Sequence, residues 1–239
     1  MGKLIGFELH KLFRKKSFYV CGGIVILYVI LTLLTMREFL TGSTFFATVL
    51  SNGPMDTLIV ILVSILICGD CKTGTLKTVV GRGYSRIAVY VAEFFTACFA
   101  CFLLCAICWI TTAISGAILL DDKLALDSQI LSMMGTQLLL MIVMASVAFV
   151  ASILSRKTSI GIVTGIVGIA MVSLALGLVD YWMKDAAIGL VDYWVPSLLA
   201  KVSTGDYDQK AIHQALLYGS IYTVVLFGSG LALFRKKDI

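Results

Sequence analysis

From Ile87 to Leu120 the chain carries one charged residue, Glu93. Read as a helix rising 1.5 Å per residue, this run reaches about 51 Å, against about 30 Å of bilayer hydrocarbon. Such a run predicts a membrane span that tilts or projects beyond the lipid. Comparable apolar runs lie on either side of it, and the charges avoid them all. The chain is 59% hydrophobic and 14% charged, with a mean hydropathy of +1.00. A soluble domain carries nearer a quarter charged residues. The expected fold is therefore an all-α membrane protein, a single transmembrane domain over 1–239.

The apolar runs predict six spans, at 18–36, 55–69, 87–120, 130–154, 159–179 and 211–234. Residues 1–17 form an interfacial segment. Within it Ile5, Leu9, Leu12 and Phe13 fall on one helical face, with His10, Lys11 and Arg14 opposite. The first span begins only after Arg14, Lys15 and Lys16 and is longer than a signal core, so cleavage is not expected. If both termini are cytoplasmic, the external segments hold only Arg37, Lys123, Lys184, Lys201 and Lys210 of the 19 basic residues. Every inner segment then obeys the positive-inside rule, and Trp109, Trp182 and Trp194 fall near the outer interface. The net charge of +5 follows from this distribution, and no nucleic-acid partner is expected. Membrane lipid is the expected surround.

Residues 70–86 form the cytoplasmic segment between spans two and three. Lys72, Lys77, Arg82 and Arg86 face a single acid, Asp70. Thr73 to Val80 is long enough for about two helical turns. Leu76, Val79 and Val80 share one face of it. Gly81 supplies a stop, Gly83 keeps the chain loose, and Ser85 is placed to cap the next helix. A short amphipathic helix with an apolar face, held between two spans, calls for a groove in a partner.

Several patterns invite a chemical reading. Cys98, Cys101, Cys105 and Cys108 line one face of the third span, but no His or carboxylate joins them. They read as small packing residues rather than a metal site. Cys21, Cys68 and Cys71 also avoid the external loops, so no disulfide framework is expected. Gly69 to Thr75 has the glycine spacing of a phosphate-binding loop but lacks the lysine after the second glycine. Ser115, Gly116 and His213 do not complete the motif of an intramembrane serine protease, and no His-Glu-x-x-His run is present. Gly161, Gly165 and Gly168 make a small-residue face for helix contact, within the bundle or across a dimer. Glu93 stands one or two turns into its span. It reads as a carboxylate near the interface, with Arg86 and Tyr90 close to the same face.

The chain resembles the permease subunits of ABC-2 type transporters along nearly its whole length. Glu8-Leu-His-Lys11-Leu-Phe-Arg14 is similar to that family's connecting helix. Gly74-Thr-Leu-Lys77, with Ser85-Arg86 and Tyr90, resembles its coupling loop. Asp70 stands for the acid before the glycine, and the chain departs from the pattern at Glu93, where the family usually has lysine. The resemblance implies a permease of an ABC exporter without catalytic residues of its own. It implies docking on a separate ATPase subunit, which would hold ATP and Mg, through Thr73, Leu76, Lys77, Val79, Val80 and Arg86. It further implies a second permease subunit, a re-entrant segment near Val191–Lys201 within the external 180–210 stretch, and a bacterial cytoplasmic membrane. Small relatives of this kind are associated with antimicrobial-peptide resistance or immunity. A membrane immunity protein that only sequesters a peptide is the alternative.

Overall fold

The structure, a computed structural model, describes residues 2–36, 49, 54–73, 75–81, 83–119, 128–155, 157–182, 189–203 and 209–236. The predicted outer loops at 37–53, save Val49, and at 121–127 lie outside the described residues, as do Arg82 and Arg156. Among the described residues the secondary structure is helical. The helices are α1 (Gly2–Arg14), α2 (Lys16–Met36), α3 (Met55–Thr73), α4 (Thr75–Gly81), α5 (Arg86–Leu119), α6 (Ser128–Ser155), α7 (Thr158–Trp182), α8 (Val195–Ser203) and α9 (Gln209–Lys236). A short 3-10 turn, Leu190–Tyr193, precedes α8.

Five helices are long and apolar enough to cross a membrane, within α2, α5, α6, α7 and α9. The predicted second span is α3, where Asp56, Asp70 and Lys72 interrupt the apolar run. It is nonetheless the innermost helix. Leu58, Ile59, Val60, Leu62, Val63, Leu66, Ile67 and Cys68 are all buried, because α2, α5, α6 and α7 pack around it. The helix continues a turn past the predicted end at residue 69, so Asp70 and Thr73 belong to α3 and not to the loop.

The outer helices show why the chain needs lipid. In α2, Phe18, Cys21, Val25, Val29 and Leu33 form a buried stripe, while Ile24, Leu27, Leu31 and Leu34 are exposed. Helix α7 buries only Gly161 and Gly165, yet its free surface carries Val163, Val167, Met171, Leu174 and Leu178. A helix that is apolar on its free face as well as its packed one requires a nonaqueous surround. Backbone groups in lipid must be satisfied internally, which favours helices.

Helix boundaries follow local chemistry. The hydroxyl of Ser85 accepts the amide of Ala88 at 3.2 Å and so caps α5. Gly83, at φ +90°, makes the turn before it. At the far end of the bundle, both carboxylate oxygens of Asp180 accept backbone amides, from Leu190 and Val191, at 2.7 Å each. The indole of Trp194 donates to Ser173 at 2.8 Å. These bonds seat the turn against α7, while Val195, Leu198, Leu199 and Val202 bury the inner face of α8, which packs on α6 and α9.

Candidate functional site

The bundle end that carries α1 and α4 gathers most of the described charge. In α1 the buried positions are Leu4, Glu8 and Leu12, spaced four apart on one face. Phe7 and Phe13 are exposed, and Ile5 and Leu9 only half-buried. This corrects the predicted face: the helix is rolled so that Lys11, read as solvent-facing, turns inward. The reason is Asp70, which stands buried at the end of α3 and attracts it.

The ammonium of Lys11 lies 2.5 Å from Asp70 Oδ2 and 2.8 Å from Glu8 Oε2. Lys15 lies 3.7 Å from Asp70 Oδ1 and donates to the carbonyl of Leu66 at 3.1 Å. Lys15 sits at the break between α1 and α2, where its amide donates to Leu12 and its carbonyl accepts from Phe18. A single carboxylate therefore holds two cations, one from the last turn of α1 and one from the break that follows it. Burial disfavours the charge on Lys11, but Asp70 and Glu8 outweigh it and raise its pKa above the ordinary 10.5. For Lys15 burial prevails, aided by the like charge of Lys11, and its pKa is lowered despite Asp70.

Glu93, on α5, completes this region. It lines a pocket with Glu8, Lys11, Leu66, Ile67, Asp70, Thr96 and Ala97. At 2% exposure it is not the interfacial carboxylate expected from its depth. Arg86 is exposed and Tyr90 is engaged elsewhere, so the predicted grouping of these three residues does not form. The Tyr90 hydroxyl donates to the carbonyl of Phe227 at 2.8 Å. Its ring packs among Phe94, Phe149, Phe227 and Phe234, tying α5 to α6 and α9.

Helix α4 links α3 to α5 directly beside this cluster and packs on both. Val79 is buried against the chain's own core at 9% exposure. It anchors α4 to the bundle, so it is not the exposed residue that a docking face requires. Thr78, Gly81, Arg86 and Ile87 are exposed. The side chains of Thr73, Leu76, Lys77 and Val80 lie outside the described residues. The small-residue face is divided. A Cβ on Gly161 would meet Ser155, Ser152 and Cys68 at 3.1–3.3 Å, and one on Gly165 would meet Val60 at 2.7 Å, whereas Gly168 has open space. Gly161 and Gly165 thus serve contact of α7 with α3 and α6 of the same chain.

Among the described residues all seven cysteines are free thiols, and no group of three His, Cys, Asp or Glu side chains is placed to hold a metal ion. Sequence reasoning missed the role of Lys11, Lys15 and Asp70 as a unit. The available signal was the spacing of Leu4, Glu8, Lys11, Leu12 and Lys15, which form one stripe once polar residues are counted with apolar ones.

A helical bundle with apolar outer faces and a charged cluster at one end defines an integral membrane protein. The model of the ABC-2 family transporter protein matches residues 4–173, from α1 through most of α7, and the chain belongs to that family. The family supplies membrane components of transport and typically works with an ATPase partner. No curated protein matches the chain.

Proposed function

We propose that the chain is the permease subunit of an ATP-driven ABC exporter in a bacterial cytoplasmic membrane. In this reading α3 is the sixth span. Its 19 residues reach about 28 Å, close to the hydrocarbon thickness. Both termini, α1 and α4 are then cytoplasmic, in accord with the distribution of basic residues. A second permease subunit, identical or related, completes the pathway. ATP and Mg belong to the partner ATPase.

The observation that carries this reading is the position of α4. It joins the innermost helix to the longest one, with Val79 fixing it to the core, Thr78 exposed on it, and Arg86 and Ile87 exposed at the start of α5. A push on α4 is transmitted to α3 and α5 together, because it packs on both. Leu76 is the proposed apolar anchor for the ATPase, with Thr73, Lys77 and Val80 as neighbouring contact candidates in the sequence. Peptide export of the resistance or immunity type rests on resemblance alone. The test is recovery of the tagged full chain from its native membrane in mild detergent. A copurifying chain that hydrolyses ATP is expected. Recovery of the chain with no ATPase would overturn the reading in favour of a sequestering protein.

A further inference from the structure

The charge cluster does not balance if every group in it is ionised. Glu8 and Asp70 are negative, Lys11 and Lys15 positive, and these four engage one another. Glu93 is a fifth group with no counterpart. It is 2% exposed, and among the described residues no donor reaches either of its carboxylate oxygens. Among the described residues the charged groups that face it are those same four, from α1 and the break after it and from α3 at Asp70. Both carboxylates among them would repel a third negative charge. The lysines do not supply a counterion, since Lys11 is shared by Glu8 and Asp70, and Lys15 by Asp70 and the Leu66 carbonyl.

A bare buried carboxylate is far more costly than a neutral one. Two remedies exist, a cation or a proton. The pocket has about 10 Å³ of free space, the room that one water needs. Metal cations require six or more oxygen ligands when they are as large as calcium, and the described residues offer no such set. The proton remains.

We propose that Glu93 is a proton-binding site, occupied in the arrangement seen here and emptied when the contact of α1 with α3 and α5 opens. On opening, the carboxyl O–H bond breaks, its electron pair stays on the carboxylate, and the proton passes to bulk water. The cluster therefore couples the seating of α1 to the uptake of one proton. This holds whether or not an ATPase docks below.

The test uses the full chain in lipid vesicles. Infrared difference spectroscopy should find a protonated carboxyl stretch that persists at neutral pH and vanishes in Glu93→Gln. Glutamine has the shape of the neutral acid, so this variant should insert, fold and melt at or above the wild-type temperature. The gap in melting temperature should widen by several degrees as pH rises from mildly acidic to neutral. In that interval the wild-type fold must retain a proton that the unfolded chain releases. Every other ionisable group is common to both proteins, so the comparison isolates position 93. Absence of the band in folded wild type, a band that survives in Glu93→Gln, parallel melting curves, or failure of Glu93→Gln to fold would each overturn the proposal.

Discussion

Lys11 and Asp70 form an ion pair at 2.5 Å between the first helix and the end of the innermost one. It gives α1 a fixed seat on the bundle, where an amphipathic helix would otherwise lie free in the interface. Side chains of Lys11 and Asp70 are 20% and 6% exposed, so the pair is largely shielded from solvent. Removing one partner leaves the other charge buried, whereas replacing both with apolar residues does not. Asp70→Asn should therefore destabilise the chain by about 2–3 kcal/mol, allowing for the partial exposure of Lys11. Lys11→Met combined with Asp70→Leu should cost less than the sum of the single changes. Unfolding of wild type, Lys11→Met, Asp70→Leu and the double variant in one detergent measures the coupling, and strict additivity would dissolve the clamp.

Alkaline titration separates the two lysines. The charged form of Lys11 is favoured in the folded chain, so its contribution is fully present below pH 10.5 and is lost as pH rises through its raised value. Lys15 shifts the other way and gives up its proton first, which by itself relieves a buried charge. The two side chains are almost equally exposed, at 20% and 23%, so reactivity reports ionisation rather than access. Reductive methylation at rising pH, read by mass spectrometry, should modify Lys15 before Lys11.

The glycines of α7 and α9 differ in what they tolerate. Gly165→Ala would place a Cβ 2.7 Å from Val60 Cγ1, and Gly230→Ala one 2.5 Å from the Tyr90 hydroxyl. Val60 is β-branched and stiff, and Tyr90 is held by Phe227, so neither yields easily. Each substitution should cost about 1–3 kcal/mol as overpacking. Gly168→Ala meets nothing within 4 Å and should be neutral or slightly stabilising, since alanine favours a helix by about 1 kcal/mol. Melting temperatures of the three variants give the order directly.

Periodicity and charge placement made the long helices legible in the sequence, because apolar runs of span length leave few alternatives. Ser85 as a cap was equally readable, since its role depends on the next three residues alone. What could not be read depends on contacts distant in sequence. The local stripe shows that Lys11 can turn inward, but its partner Asp70 lies on a helix distant in sequence. Glu93 was placed at the interface because burial by α1 is a tertiary effect. Val79 is apolar on an amphipathic turn whether it anchors α4 inward or presents it outward, and only the packed bundle distinguishes the two. Gly161 and Gly165 likewise promised a close contact without naming the helices.

Orientation rests on the basic residues and is open to labelling. Cysteines introduced at Lys3 or Lys157 should be protected from a membrane-impermeant reagent in intact cells, and those at Lys123 and Lys201 should react. Lys157 is exposed beside the α6–α7 turn, so access there is not limited by packing. External reaction at 157 would reverse the topology.

The central claim is that α4 delivers the ATPase stroke to α3 and α5. Leu76→Asp puts a charge where an apolar anchor is needed, and the lost anchor alone is worth about 1.5–3 kcal/mol. That corresponds to roughly a ten-fold to hundred-fold loss of docking. Lys77→Gln changes a charge expected to be solvated and should do much less. Val79→Asp serves as the contrast, because it strikes the core and should lower stability as well as docking. The decisive measurement is ATPase recovery with the folded Leu76→Asp chain, set beside wild type and Lys77→Gln. The account predicts that Leu76→Asp still inserts and, once folded, loses the ATPase, while Lys77→Gln retains it. Full ATPase recovery with Leu76→Asp would contradict it.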